Sequence, residues 1–276
     1  MIRLDQLVAM NQHYKNYSFD YFLDAQERLG IKNIELWMSM QHFPLNSVKY
    51  GDCKKLLKKL QDKNMQIVAA TFPSCDFQYQ YACQSKSERK KCIQYFKNGI
   101  QAAEELGANI LTCNSGWAYW NQSFEEGILA AKETISEIAY LAEQKKMIIV
   151  MESLTAEESN LIVSKKLLQE FLKEINSPAL KVMIDTVAMM QAGEMIEEWF
   201  HTFGKDIRYM HFVDGGKSWE HLAWGEGHYP LAEMLATIER YGYKGYLSQE
   251  LITESYLKNP IEADKRNLCS LSKYIF

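Results

Sequence analysis

Short β-prone runs alternate with helix-patterned stretches along the whole chain, and this alternation limits the possible folds more than any other feature. The runs predict strands at residues 4–10, 33–37, 66–72, 109–113, 147–152, 180–185, 207–213 and 245–251. Helices are predicted at residues 19–29, about 50–63, 87–106, 124–145, 164–174, 192–203, 230–241 and 260–274. Ser18 is placed to cap the first helix and Gly30 to end it, while Pro230 and Pro260 stand where a first helical turn tolerates proline. Eight strands, each followed by a helix, predict an α/β fold, a (β/α)₈ TIM barrel, with residues 1–276 forming one domain. An open doubly wound sheet is the alternative, but the start of the chain lacks the Gly-x-Gly-x-x-Gly turn that would hold a dinucleotide.

In such a barrel the strand C-termini share one face, so the residues that end the last four strands would meet there. Those residues are Glu152, Asp185, His211 and Glu250. Taken alone, Glu152 is equally an ordinary solvated acid at a strand end. Four good ligands at four successive strand ends are a different matter. Three carboxylates and one imidazole form an oxygen-rich donor set suited to Mn²⁺, Mg²⁺ or Co²⁺, and compatible with Zn²⁺, with positions left open for substrate. A divalent ion so held can chelate a sugar carbonyl and its neighbouring hydroxyl and stabilise an enediolate, which is isomerase or epimerase chemistry. Glu152 and Glu250, on the fifth and eighth strands, could flank the substrate, one taking a proton from one face and the other returning it to the opposite face.

Composition narrows the partners. A formal net charge of −4 gives no electrostatic reason to expect nucleic acid, and Lys54, Lys55, Lys58 and Lys59 alternate with leucine as a solvated helix face would. The six cysteines lack Cys-x-x-Cys spacing, the N-terminal residues lack a signal-like apolar run, and no stretch reaches the length of a membrane span. A reduced, cytoplasmic protein without membrane contact is expected.

At these residues the chain resembles the xylose-isomerase-like barrels and, within them, the ketose 3-epimerases acting on tagatose, psicose and related sugars. The resemblance covers nearly the whole chain. It implies that Glu152, Asp185, His211 and Glu250 bind the metal, that Glu152 and Glu250 transfer the protons, and that Glu158 contacts substrate oxygens. Those free-ketose enzymes usually carry a histidine three residues after the metal-binding aspartate, where this chain has Ala188. The likeness is denser to the branch acting on fructoselysine, in Glu152-Ser-Leu-Thr-Ala-Glu-Glu-Ser-Asn160, His211-Phe-Val-Asp214, Gly225-Glu-Gly227 and Gly242-Tyr-Lys-Gly-Tyr246. That branch also lacks the histidine, and the resemblance implies epimerisation of fructoselysine to psicoselysine or of a similar ketose or ketosamine.

Other residues are weaker candidates. Trp37, His42, Trp117 and Tyr119 follow strands two and four and could wall a sugar pocket or simply pack. Asp214, Glu220, Glu226 and Glu254 lie in the loops after strands seven and eight, where one of them, such as Glu226, could meet a substrate ammonium group. The aromatic and amide-rich residues 72–81 predict a long loop above strand three. His13, His201, His221 and His228 show no partner pattern and receive no metal role. Competing functions are aldose–ketose isomerisation or dehydration on the same scaffold, a non-catalytic sugar-binding barrel, and an abasic-site endonuclease. The last needs a basic groove and more histidines. A homo-oligomer is a possible assembly.

Overall fold

The computed structural model describes residues 1–74, 78–216 and 218–276. Cys75, Asp76 and Phe77, in the predicted loop above strand three, and Lys217 lie outside the described residues. Eight parallel strands close into a barrel: β1 (Leu7–Met10), β2 (Asn33–Trp37), β3 (Gln66–Thr71), β4 (Ile110–Cys113), β5 (Ile148–Met151), β6 (Leu180–Asp185), β7 (Ile207–His211) and β10 (Tyr246–Gln249). Two further short strands, β8 (Asp214–Gly215) and β9 (His221–Leu222), form an antiparallel ribbon after β7. The ring closes where β1 pairs with β10, Val8 opposite Ser248.

The helices between strands are α1 (Phe19–Leu29), α2 (Cys53–Asp62), α3 (Lys86–Glu105), α4 (Phe124–Gln144) and α5 (Lys165–Ile175). They are followed by α6 (Thr186–Gln191), α7 (Ile196–Phe203), α8 (Leu231–Arg240) and α9 (Pro260–Ser272). Ser18, Asp52, Ser85, Ser123 and Ser164 cap the first five, each side chain accepting from a backbone N–H of the first turn. None of the helices among the described residues is long and apolar enough to cross a membrane. Cys53, Cys83, Cys92, Cys113 and Cys269 are free thiols.

Both faces of each barrel strand are buried, which is why the runs are nearly continuously apolar in sequence. Alternate residues nevertheless go to different places. Leu7, Ile34, Leu36, Leu111, Ile149, Val182, Ile184 and Leu247 pack outward under the helices. Val8, Val68, Ile110, Val150, Met183 and Tyr209 pack inside the ring. Two residues further along the inward face stand Glu152 after Val150, Asp185 after Met183 and His211 after Tyr209. The interior is therefore apolar below and polar at the C-terminal mouth.

Beyond shifts of one or two residues at element ends, three regions depart from the sequence expectation. Leu4–Gln6 is a 3₁₀ turn, not strand, because Gln6 folds back to accept from Arg3 N at 3.1 Å and donates to Gly245 O at 2.9 Å. The helix predicted from residue 192 starts at Ile196, as α7, and a separate helix, α6, precedes it directly after β6 and is ended by Gly193 at φ +72°. The seventh strand stops at His211, since the chain beyond turns into the β8–β9 ribbon.

Candidate metal and active site

The inward register of β5, β6, β7 and β10 brings the four strand-end candidates together. His211 is buried at the centre, its Nδ1 lying 2.8 Å from Glu250 Oε2 and 3.5 Å from both Glu152 Oε2 and Asp185 Oδ2. Asp185 does two jobs. Its Oδ1 caps α6 by accepting from Ala188 N at 2.7 Å, which fixes the carboxylate and leaves Oδ2 facing the cluster.

Two residues that sequence reasoning missed complete the arrangement. Glu35, on β2, is fully buried and accepts from His211 Nε2 at 3.0 Å, from Tyr209 OH at 2.9 Å and from the Thr71 hydroxyl. With Nε2–H donated to Glu35, the Nδ1 lone pair of His211 points at the three acids and has no hydrogen-bond partner of its own. The signal for Glu35 was the strand period: between outward Ile34 and Leu36, it must point into the barrel. His221, given no metal role from the sequence, lies on β9 with Nε2 3.1 Å from Asp185 Oδ2 and 3.4 Å from Glu250 Oε2. Its Nδ1–H is directed to Trp219 O at 2.9 Å. No local sequence pattern marks His221, because a loop brings it in.

The titration behaviour of the metal-free site follows from this crowding. Burial pushes the Glu152 carboxyl up to about 8, with the charges of Glu250 and Asp185 adding to the effect and His211 opposing it. Burial also raises Glu158. Burial works against ionised Asp185, but the charges of His221 and His211 and the hydrogen bond from His221 hold it below the usual carboxylate range. For His221, burial alone would lower the value; Asp185, Glu250 and Glu158 instead raise it to about 10. His211 is likewise raised against its burial, chiefly by Glu250 and Glu35.

An imidazole lone pair facing three carboxylate oxygens is a repulsive arrangement unless a proton or cation lies among them. Glu152, Asp185 and His211 offer ligand atoms all within 4.8 Å of one another, as do Asp185, His221 and Glu250. The donor set therefore fits a divalent cation, with the remote N–H of His211 held by the Glu35 carboxylate as a metal-binding imidazole requires.

A cavity of about 140 Å³ opens on this cluster. Glu152, Glu158, Asp185, Ala188, His221 and Glu250 line it, with Trp37, Phe72, Asn114 and Ile252 around them. Glu158 is fixed by the N–H and hydroxyl of Thr155, at 3.1 and 3.0 Å. The remaining candidates stand elsewhere among the described residues. His42 bridges Asn11 Nδ2, at 2.6 Å, and Tyr17 O, at 2.9 Å, tying two loops together. Trp117 packs edge-on to Tyr119 outside the cavity lining. Glu226, placed by sequence among substrate-contacting acids, instead pairs with Arg266 and accepts from Tyr256 OH, so its charge is already met.

Asp214 holds the loop that delivers His221. Its buried carboxylate accepts from the N–H groups of Gly215 at 2.8 Å and of Gly225, Gly227 and Tyr229, each at 2.9 Å. Gly227 must be glycine for this: a Cβ there would stand 2.3 Å from Gly215 O and 2.5 Å from Asp214 Oδ1. His221 in turn exchanges two backbone hydrogen bonds with Ile252, at 3.1 and 3.0 Å, so the ribbon is clamped to the segment after Glu250.

Comparison with known proteins agrees with this architecture. Residues 23–271 match the model of the xylose isomerase-like TIM barrel family. Over 242 residues, 87% of this chain and 86% of the relative, the sequence is 30% identical to fructoselysine 3-epimerase of Shigella flexneri. The fold superposes on D-psicose 3-epimerase from Clostridium cellulolyticum H10 with a TM-score of 0.79 and 16% identity, covering 98% of this chain and 99% of the other. It superposes on the IOLI protein with a binding zinc atom at a TM-score of 0.78 and 17% identity, covering 98% and 99%. The chain belongs to the xylose isomerase-like TIM barrel family.

Proposed function

We propose that this protein is a metal-dependent ketose 3-epimerase whose substrate is fructoselysine or a closely similar ketosamine. The observation that carries the reading is the pair of glutamates, Glu152 and Glu250, set on different strands yet both reaching the same His211 nitrogen at the floor of one cavity. The 30% identity to a fructoselysine 3-epimerase over most of both chains supports the substrate class.

Glu152, Asp185, His211 and Glu250 would hold the cation, which when bound supplies Lewis-acid stabilisation of the enediolate; Mn²⁺, Co²⁺ and Mg²⁺ suit the oxygen-rich set, and Zn²⁺ is compatible with it. One glutamate removes the proton from C3 and the other returns a proton to the opposite face. The burial that raises Glu152 brings it toward the working range of a general base, a role worth about 10²–10⁴-fold. Glu158 accepts from a substrate hydroxyl at the cavity wall. Of the loop acids, Glu220 is held by the Thr253 hydroxyl at 2.6 Å and the Ser218 hydroxyl at 3.2 Å, with no ion pair among the described residues. It is thus better placed than Glu226 to meet an ammonium group.

The test is NMR of fructoselysine, psicose, tagatose and a ketopentose phosphate, each incubated with Mn²⁺-loaded protein in D₂O. Deuterium entry and inversion at C3, fastest with fructoselysine, is the expected result, and Glu152→Gln and Glu250→Gln should each abolish it. Exchange at C1 would move the assignment to aldose–ketose isomerisation. Full turnover by Glu152→Gln would remove that residue from the acid–base pair.

A further inference from the structure

We infer that His221 is a substrate-contacting, specificity-determining residue, its Nε2 hydrogen-bonding an oxygen of the ketose beside the metal-binding carboxylates. The assignment rests on the ketose-epimerase reading, and its grounds are geometric. The residue is 3% exposed, lines the cavity and stands with Nε2 3.1 Å from Asp185 Oδ2 and 3.4 Å from Glu250 Oε2. It is held from two directions: Nδ1–H is directed to Trp219 O, and the backbone is clamped between β8 and Ile252. A ring fixed so firmly, with its Nε2 at the wall of a polar cavity and 3.1 Å from a carboxylate oxygen that a bound cation would engage, is prepared to contact something there.

Three chemistries compete for that nitrogen. A purely structural imidazole paired with Asp185 would need no opening beside it, whereas His221 lines a cavity whose wall also includes the small Ala188. A fifth protein ligand to the cation is the second. Glu152, Asp185, His211 and Glu250 would hold the cation, and a further side chain from the group of Asp185, His221 and Glu250 would compete with the ketose oxygens that must reach it for enolisation. Contact with the substrate is the chemistry compatible with both the cavity and the reaction. Glu158 lies on the same cavity and interacts electrostatically with His221, so an acid and an imidazole face the bound sugar together.

The experiment compares wild type, His221→Ala and His221→Gln, with Asp185→Asn as the metal-ligand control. KM and kcat for C3 exchange in fructoselysine are measured on Mn²⁺-loaded protein, and the Kd for Mn²⁺ by calorimetry on metal-free protein. His221→Ala should raise KM about tenfold or more, as loss of a buried hydrogen bond to substrate does. His221→Gln, with an amide of similar reach, should recover part of that loss, and Mn²⁺ affinity should stay within about threefold of wild type in both while falling steeply in Asp185→Asn. Unaltered KM in both variants would reduce His221 to scaffold. Loss of Mn²⁺ affinity matching Asp185→Asn would make it a ligand, and either result overturns the inference while leaving the epimerase reading intact. Wild type that exchanges C3 in no ketose would instead remove that reading and this one with it.

Discussion

Replacing Glu35 by glutamine probes how far the barrel interior controls the site above it. The carboxylate accepts three hydrogen bonds, two on Oε1 from His211 and Thr71 and one on Oε2 from Tyr209. A glutamine oxygen in the Oε1 position keeps the first two, and the Tyr209 hydroxyl can turn to accept from the new amide N–H. Shape and hydrogen-bond count survive, so the change removes mainly the charge behind the His211 ring. Loss of such support typically weakens metal binding about 10–100-fold, or roughly 1.4–2.7 kcal/mol. The assay is calorimetric titration of metal-free protein with Mn²⁺ at fixed pH. Glu35→Ala is the contrasting variant: it orphans all three donors in a closed space and should lower unfolding stability by about 3–5 kcal/mol. An Mn²⁺ affinity for Glu35→Gln within about twofold of wild type would refute the claim that this buried charge tunes the ligand.

Further outcomes follow from other parts of the molecule. In the metal-free protein Glu152 is raised to about 8 and His221 to about 10, so the folded state holds protons that the unfolded chain releases at lower pH. The stability they contribute is complete in acid and is lost as pH rises through those values, whereas the depressed Asp185 loses its contribution only as pH falls. Because a cation replaces the protons, the Mn²⁺-induced rise in Tm should be larger near pH 8.5 than near pH 6, and a pH-independent shift in scanning fluorimetry would contradict this. Gly227→Ala should displace the Asp214-bound loop, raising KM and lowering Tm as the buried carboxylate loses amide partners; retention of wild-type KM and Tm would show that the loop absorbs the added methyl. Asp264→Ala should cost about 3–5 kcal/mol in urea unfolding, since the buried carboxylate accepts from Tyr14 OH at 2.5 Å, Gln26 Nε2 at 2.7 Å and Gln249 Nε2 at 3.1 Å and pairs with His13 Nε2 at 2.8 Å. A loss below about 1 kcal/mol would mean that water readily enters that network.

How much of this was legible in the sequence depended on how local the cause was. The eight strands were readable because burial on both faces leaves uninterrupted apolar runs between capped helices. Glu152, Asp185, His211 and Glu250 were readable because each directly follows or ends such a run. Glu35 obeys the same period, but a single acid in a short strand resembles surface exposure until the barrel is closed and His211 is seen opposite. His221 depends on a carboxylate seven residues earlier gathering amide groups from residues 215–229, a contact set no periodicity announces. The pairing of Glu226 was hidden for the complementary reason: its partner, Arg266, is forty residues away on the last helix.

The Asp264 network also bears on the order in which the ring can be made. It joins α9 to residues 238 to 251 positions earlier in the chain, next to the β1–β10 seam. During synthesis from the N-terminus, β1 has its β2 neighbour early but must wait for nearly the entire chain before its other edge is covered. Until then a strand of Leu7, Val8, Ala9 and Met10 presents unpaired backbone groups and an apolar side. The last helix therefore acts as a latch for the first strand, and loss of Asp264 would lengthen the period in which a nascent chain can pair with the wrong neighbour.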